Sequence, residues 1–210
     1  MSDKKPENVV IVSSAAELGK LLPGSKAEQK KHEDKAVRTE HQLEVNGETL
    51  EYVATAGTYR IQLPEKPPVD LFYVAYVKKG TDPDRPVTFA FNGGPGSASV
   101  WLHMGFLGPK RVTGDVDAPP ACPGRAVDNP LTLLTTSDLV FIDPTSTGFS
   151  RPVEGEGREY HGVKADIEGV GELIRRWLAE NGRWSSPKYL AGESYGTIRA
   201  AGLADHCQQK

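Results

Sequence analysis

The chain has 210 residues, enough for one substantial core, with ordinary fractions of hydrophobic (38%) and charged (25%) residues. Its net charge of −3 gives no electrostatic reason to bind nucleic acid or an anionic membrane, and no apolar run approaches the roughly 20 residues of a membrane span. Two cysteines, Cys122 and Cys207, are too few for a disulfide framework or a metal site, and no cofactor is expected.

Residues 1 to about 35 mix lysines with acids and carry few large apolar groups, which predicts a solvated, partly disordered leader. Within it, Val9–Val12 is too short for a secretory h-region of roughly 7–15 residues. The cytoplasm is therefore the default compartment, unless an export signal has been removed. From Ala36 the pattern changes. Val37–Val45, Asn46-Gly47 and Thr49–Thr55 predict a hairpin, with Asn-Gly supplying the two positive-φ positions of the turn. Tyr59–Leu63 and Leu71–Lys78 predict further strands, an antiparallel meander leading through the turn at 81–86 into Val87–Phe91. That last run is apolar enough to be a strand buried on both faces.

Asn92-Gly93-Gly94-Pro95-Gly96 follows, a glycine-rich loop that can turn backbone N–H groups toward a ligand. Taken alone, the same residues also describe a plain tight turn. Ser97–Leu107 can form a short helix, Gly108–Pro130 is a Pro/Gly-rich excursion, and Ser137–Asp143 predicts a second buried strand. Val163, Ile167, Val170, Leu173, Ile174, Trp177 and Leu178 recur at helical spacing up to the stop signal Asn181-Gly182. Ser186–Ala191 predicts a strand and Tyr195–Gln208 a helix. Between them lies Gly192-Glu193-Ser194-Tyr195-Gly196, where a serine flanked by glycines can sit on a sharp strand-to-helix bend as a nucleophile. Strand, helix, strand, bend and helix is the order of an α/β protein with parallel crossovers.

With both glycine motifs in place, the chain resembles the serine carboxypeptidase family, which has the α/β-hydrolase fold. Asn92–Ser97, Asp138–Ser150 and Gly192–Gly196 carry the resemblance, and Glu193 before the serine sets the family apart from most Gly-x-Ser-x-Gly hydrolases. The resemblance implies an incomplete α/β-hydrolase fold, N-terminal antiparallel strands leading into a mostly parallel sheet with flanking helices. Residues 36–210 would be the N-terminal part of that domain. Ser194 would be the acyl-enzyme nucleophile, and the Gly94 and Tyr195 amides the oxyanion hole. Asn92, the Gly93 amide and Glu193 would bind the substrate's C-terminal carboxylate. A carboxylate beside Glu193 requires a shared proton, so activity is expected to fall as Glu193 ionises.

Ala90, Ser97 and Ser146 depart from the family's usual tryptophan, cysteine and glycine. The larger departure concerns the acid and histidine that should follow the serine. Asp205 and His206 lie on the helix that begins at Tyr195, and His206 would stand roughly 18 Å along it, too far to act as base. His32, His41, His103 and His161 read as surface or loop residues. The expectation is an N-terminal portion of a carboxypeptidase, inactive by itself and with an exposed apolar sheet edge. Its substrates would be peptides with a free C-terminal carboxylate. An esterase or acyltransferase of the same fold, or a non-catalytic fragment, remains open, as does the oligomeric state.

Overall fold

The computed structural model describes residues 34–80, 82, 84–113 and 124–208. The leader expected over residues 1–35 lies outside the described residues as far as residue 33, and so does the loop holding Cys122. Asp34 and Lys35 are already tied to the folded body. The Lys35 carbonyl accepts from Thr58 N, and Asp34 accepts from Arg60 N and pairs with Arg176.

Strands β1 (Ala36–Val45) and β2 (Glu48–Ile61) form the expected hairpin, closed in the register Val45 to Glu48. Asn46 and Gly47 both take positive φ, 53° and 79°, which matches the right-handed twist of the paired strands. β3 (Val69–Lys78) pairs antiparallel with β2. β4 (Val87–Phe91) and β7 (Asp138–Ile142) are buried at every position, as their unbroken apolar runs require. β9 spans Lys188–Gly192. The sheet order is β1-β2-β3-β7-β4-β9, with the two-residue β8 (Arg151–Pro152) beside β3. Pairing is parallel across β7, β4 and β9 and antiparallel elsewhere, so the sheet is mixed.

The meander therefore does not run directly into β4, because β7 lies between β3 and β4. The chain goes from β4 to one neighbour and then crosses β4 to reach the other. Such a reversal of strand order opens a crevice at the carboxyl ends of the strands, where the connections leave in opposite directions.

Alternating side chains build two cores. On one face Tyr59, Leu71, Phe89, Phe91, Val140 and Ile142 pack under helix α2 (Val163–Glu180), against Leu173, Ile174 and Trp177. Trp177 meets Phe89 edge-on at 5.6 Å. Helix α3 (Tyr195–Gln208) adds Leu203 to the same core. On the other face Leu43, Leu50, Tyr52, Ala90, Leu139 and Phe141 pack with Leu134, Leu102 and Leu107.

The helix expected over 97–107 is one turn, α1 (Val100–Leu102), continued by a wider π-helical turn over His103–Leu107. The Pro/Gly-rich excursion holds a small hairpin of its own, β5 (Lys110–Thr113) with β6 (Arg125–Asp128). α2 ends where Asn181-Gly182 predicts, with Gly182 at φ 64°. β9 is the last strand in the sheet order, and Tyr189 on it is exposed.

His103 does not fit its reading as a surface or loop histidine. Its ring stacks on Phe141, with centroids 4.4 Å apart, and Nε2 lies 2.6 Å from the Tyr76 hydroxyl. The apolar strand run beneath the π-helical turn draws the ring inward. Burial holds its pKa down to about 4, so the ring is neutral above that pH.

Candidate active site

Glu193 and Ser194 join β9 to α3. Ser194 takes φ +56°, a left-handed conformation that costs a non-glycine residue energy and lifts its side chain off the bend. Ser194 is exposed. Behind it the Glu193 carbonyl accepts from Gly196 N at 2.8 Å, and the Ser194 carbonyl accepts from both N and Oγ1 of Thr197. A side chain at position 192 would put its Cβ 2.0 Å from the Gly196 carbonyl oxygen, so the bend closes only with glycine there.

The second bend, Asn92–Gly96, leaves the adjacent strand. β4 and β9 are parallel neighbours, with Phe91 opposite Gly192, so their carboxyl ends deliver the two loops side by side. A Cβ on Gly93 would fall 2.4 Å from Tyr195 N and 2.8 Å from the Glu193 carbonyl oxygen, all backbone that cannot give way. Gly94 follows at φ +107°. Neither the Gly94 nor the Tyr195 amide donates to an acceptor among the described residues.

Asn92 is fully buried and committed at three points. Its Oδ1 accepts from Leu102 N at 3.0 Å, and Nδ2 donates to Glu193 Oε2 at 3.1 Å. Its carbonyl oxygen accepts from Arg199 Nη1 at 2.7 Å. Glu193 itself is exposed at the mouth of the site. Asn92, Gly94, Glu193 and Ser194 line one open cavity of about 500 Å³, closed by Ser97, Trp101 and Leu102. The structure thus brings Ser194, Gly94, Asn92 and Glu193 to one cavity, while Gly93 and Tyr195 meet backbone to backbone between the two bends. A depression of similar size, about 530 Å³, beside Lys66 and the start of α2 contains none of these residues.

At the next strand end, Asp143 accepts from Ser99 N (2.9 Å) and Phe149 N (3.0 Å). It thereby fastens the segment leading into α1 to the loop after β7. Burial pushes its carboxyl up from the ordinary value, opposed by those two amide bonds.

None of the residues lining the Ser194 cavity is a histidine. His206 packs toward α2, where a Cβ on Gly171 would come within 3.1 Å of its ring. His41 is exposed and stacked on Tyr52, and His161 is exposed with Nε2 3.1 Å from Ser146 Oγ.

Sequence reasoning missed the buried pair Arg199–Asp166 and the cavity wall at Trp101. A signal for the pair exists. Arg199 and Leu203 are four apart on the buried side of α3, and Asp166 and Val170 are four apart on the apolar side of α2. Opposite charges at core-facing positions of two neighbouring helices point to a buried ion pair.

The sequence pattern described as serine carboxypeptidase matches residues 48–210. The chain is 30% identical over 130 residues to Serine carboxypeptidase-like 36 of Arabidopsis thaliana, covering 59% of this chain and 24% of that protein's length. Among solved structures it is similar to the peroxisomal alpha-beta-hydrolase Lpx1 of Saccharomyces cerevisiae. That likeness has a TM-score of 0.42 and 13% identity, over 84% of this chain and 42% of the other. With a match that takes in both glycine bends and the strands that carry them, the chain belongs to the serine carboxypeptidase family.

Proposed function

We propose that this protein is a serine-type carboxypeptidase whose site is the cavity at Ser194. Ser194 Oγ attacks the carbonyl carbon of the last peptide bond and gives up its proton to a base. The tetrahedral oxyanion is met by the Tyr195 and Gly94 amides. The bond to the C-terminal residue then breaks, the leaving nitrogen takes a proton, and water hydrolyses the resulting ester. The base is a group outside the residues that line the cavity. Peptides with a free C-terminal carboxylate are the substrates, held by Asn92, the Gly93 amide and Glu193. No step of this route calls on a metal or cofactor.

One observation carries the reading. The bend at Gly93 rests on the Tyr195 amide so closely that even a methyl group is excluded, and Ser194, which shares a cavity with Gly94, is exposed. Glu193 supplies the specificity argument. An acid at the mouth of a hydrolase cavity repels a carboxylate unless the two share a proton, and the Asn92 amide bond holds this acid in place.

The test uses the full-length protein. A fluorophosphonate should label it at Ser194, and Ser194→Ala should abolish the labelling. An N-blocked dipeptide should be cleaved faster than its C-terminal amide, with kcat/KM falling as pH rises and the shared proton is lost. Glu193→Gln should flatten that fall. Equal cleavage of acid and amide would favour an esterase or acyltransferase of the same fold instead. An unchanged pH profile in Glu193→Gln would remove Glu193 from the site.

A further inference from the structure

We propose that Arg199 is a positioning residue that fixes Asn92, and through it Glu193, for recognition of the substrate carboxylate. The inference rests on the carboxylate-binding reading above. Arg199 is almost fully buried, 1% exposed, on the helix that starts at the nucleophile bend. A buried guanidinium is costly unless it is paired, and an apolar side chain of similar volume is often as stable or more so. Asp166 supplies the pairing, with Nε–Oδ2 at 2.9 Å.

Stability alone does not account for the rest of the arrangement. Nη2 is buried with no hydrogen-bond partner, a cost that a residue selected only for packing would avoid. Nη1 reaches instead to the Asn92 carbonyl at 2.7 Å. The guanidinium sits 5.5 Å from the Phe91 ring and 5.3 Å from the Tyr195 ring, side chains next to Asn92 and Ser194 in the chain. One fork therefore ties α2, the loop after β4 and the helix after Ser194 together. With its backbone carbonyl clamped and its Oδ1 held by Leu102 N, Asn92 has one orientation left, Nδ2 toward Glu193.

Arg199→Lys in the full-length protein is the informative variant. An ammonium can keep the Asp166 pair, but it cannot span both Asp166 and the Asn92 carbonyl as a planar fork does. The expected result is a KM for the N-blocked dipeptide raised about tenfold, with kcat changed less than about twofold, the pattern of lost ground-state binding. The preference for acid over amide should fall by the same factor. The side-chain NH₂ resonances of Asn92 in a ¹⁵N spectrum should move toward those of a solvated amide.

An acid-to-amide preference that survives Arg199→Lys would overturn the proposal, as would equal loss on both substrates. Should Arg199→Lys fail to fold, Asp166→Asn, which loosens the anchor and leaves the Asn92 bond, is read by the same criteria with a smaller shift. Should the wild-type protein cleave neither substrate, the carboxypeptidase reading fails. The Asn92 resonances then decide alone, and resonances unchanged in the variant would refute the positioning role.

Discussion

Ser194 is held at φ +56° by its surroundings, since the Gly192 and Gly196 backbones touch behind it and the Ser194 carbonyl is bonded to Thr197. A residue with a Cβ in that conformation costs about 1–2 kcal/mol relative to its relaxed state, and glycine carries almost none of this cost. Ser194→Gly should therefore be more stable than Ser194→Ala by about 1 kcal/mol in urea unfolding, although both lose the hydroxyl. Equal midpoints would show that the bend is not strained. This part of the site was legible in the sequence because its steric demand is local, and small residues at 192, 194 and 196 say so directly. Arg199 was not legible as a partner of Asn92. Those two residues are 107 positions apart, and only the folded sheet brings them together.

The strands carry the site at one end and their anchorage at the other. At the start of β7, Asp138 is fully buried. Its Oδ2 accepts from Arg183 Nη1 at 2.6 Å, and its Oδ1 accepts from Lys78 N and Arg85 Nε. Arg183 follows α2, Arg85 precedes β4 and Lys78 ends β3, so one carboxylate ties three other segments to the start of β7. Truncating it strands two largely buried guanidinium groups without their acceptor, which costs on the order of 3–5 kcal/mol. Asp138→Ala should lower the urea midpoint accordingly, and a loss below about 1 kcal/mol would mean that water replaces the carboxylate. At this scale the sequence was informative where apolar runs were long, as in β4, β7 and α2. It was silent on the β5–β6 hairpin, whose strands are four residues long and mostly exposed, and on the widened turn after α1. Neither leaves a period long enough to read.

For the molecule as a whole, the sheet order was the least legible property, because β7 enters between β3 and β4 through contacts that no local pattern encodes. That order packs the half-buried His103 against Phe141 of β7 and Tyr76 of β3, and so sets a limit on acid stability. The ordinary pKa of histidine is 6.5, and the folded value is about 4, lowered by burial. The stabilisation from keeping the ring neutral is complete above the unfolded value. It is lost as pH falls from about 6.5 toward 4, a change on the order of 3 kcal/mol for one group. Asp143 and Asp166 act in the opposite sense. Burial raises both carboxyls, so each relieves a cost as it is protonated. The proposed activity, which needs a proton shared with Glu193, also improves toward acid pH. His103→Phe keeps a ring stacked on Phe141 and removes the titration. It should unfold more easily at pH 7, by about 1 kcal/mol for the lost Tyr76 partner, yet lose much less stability between pH 7 and pH 4.5 than wild type. Urea midpoints at the two pH values measure this directly, and parallel losses in both proteins would mean that His103 does not set the acid limit.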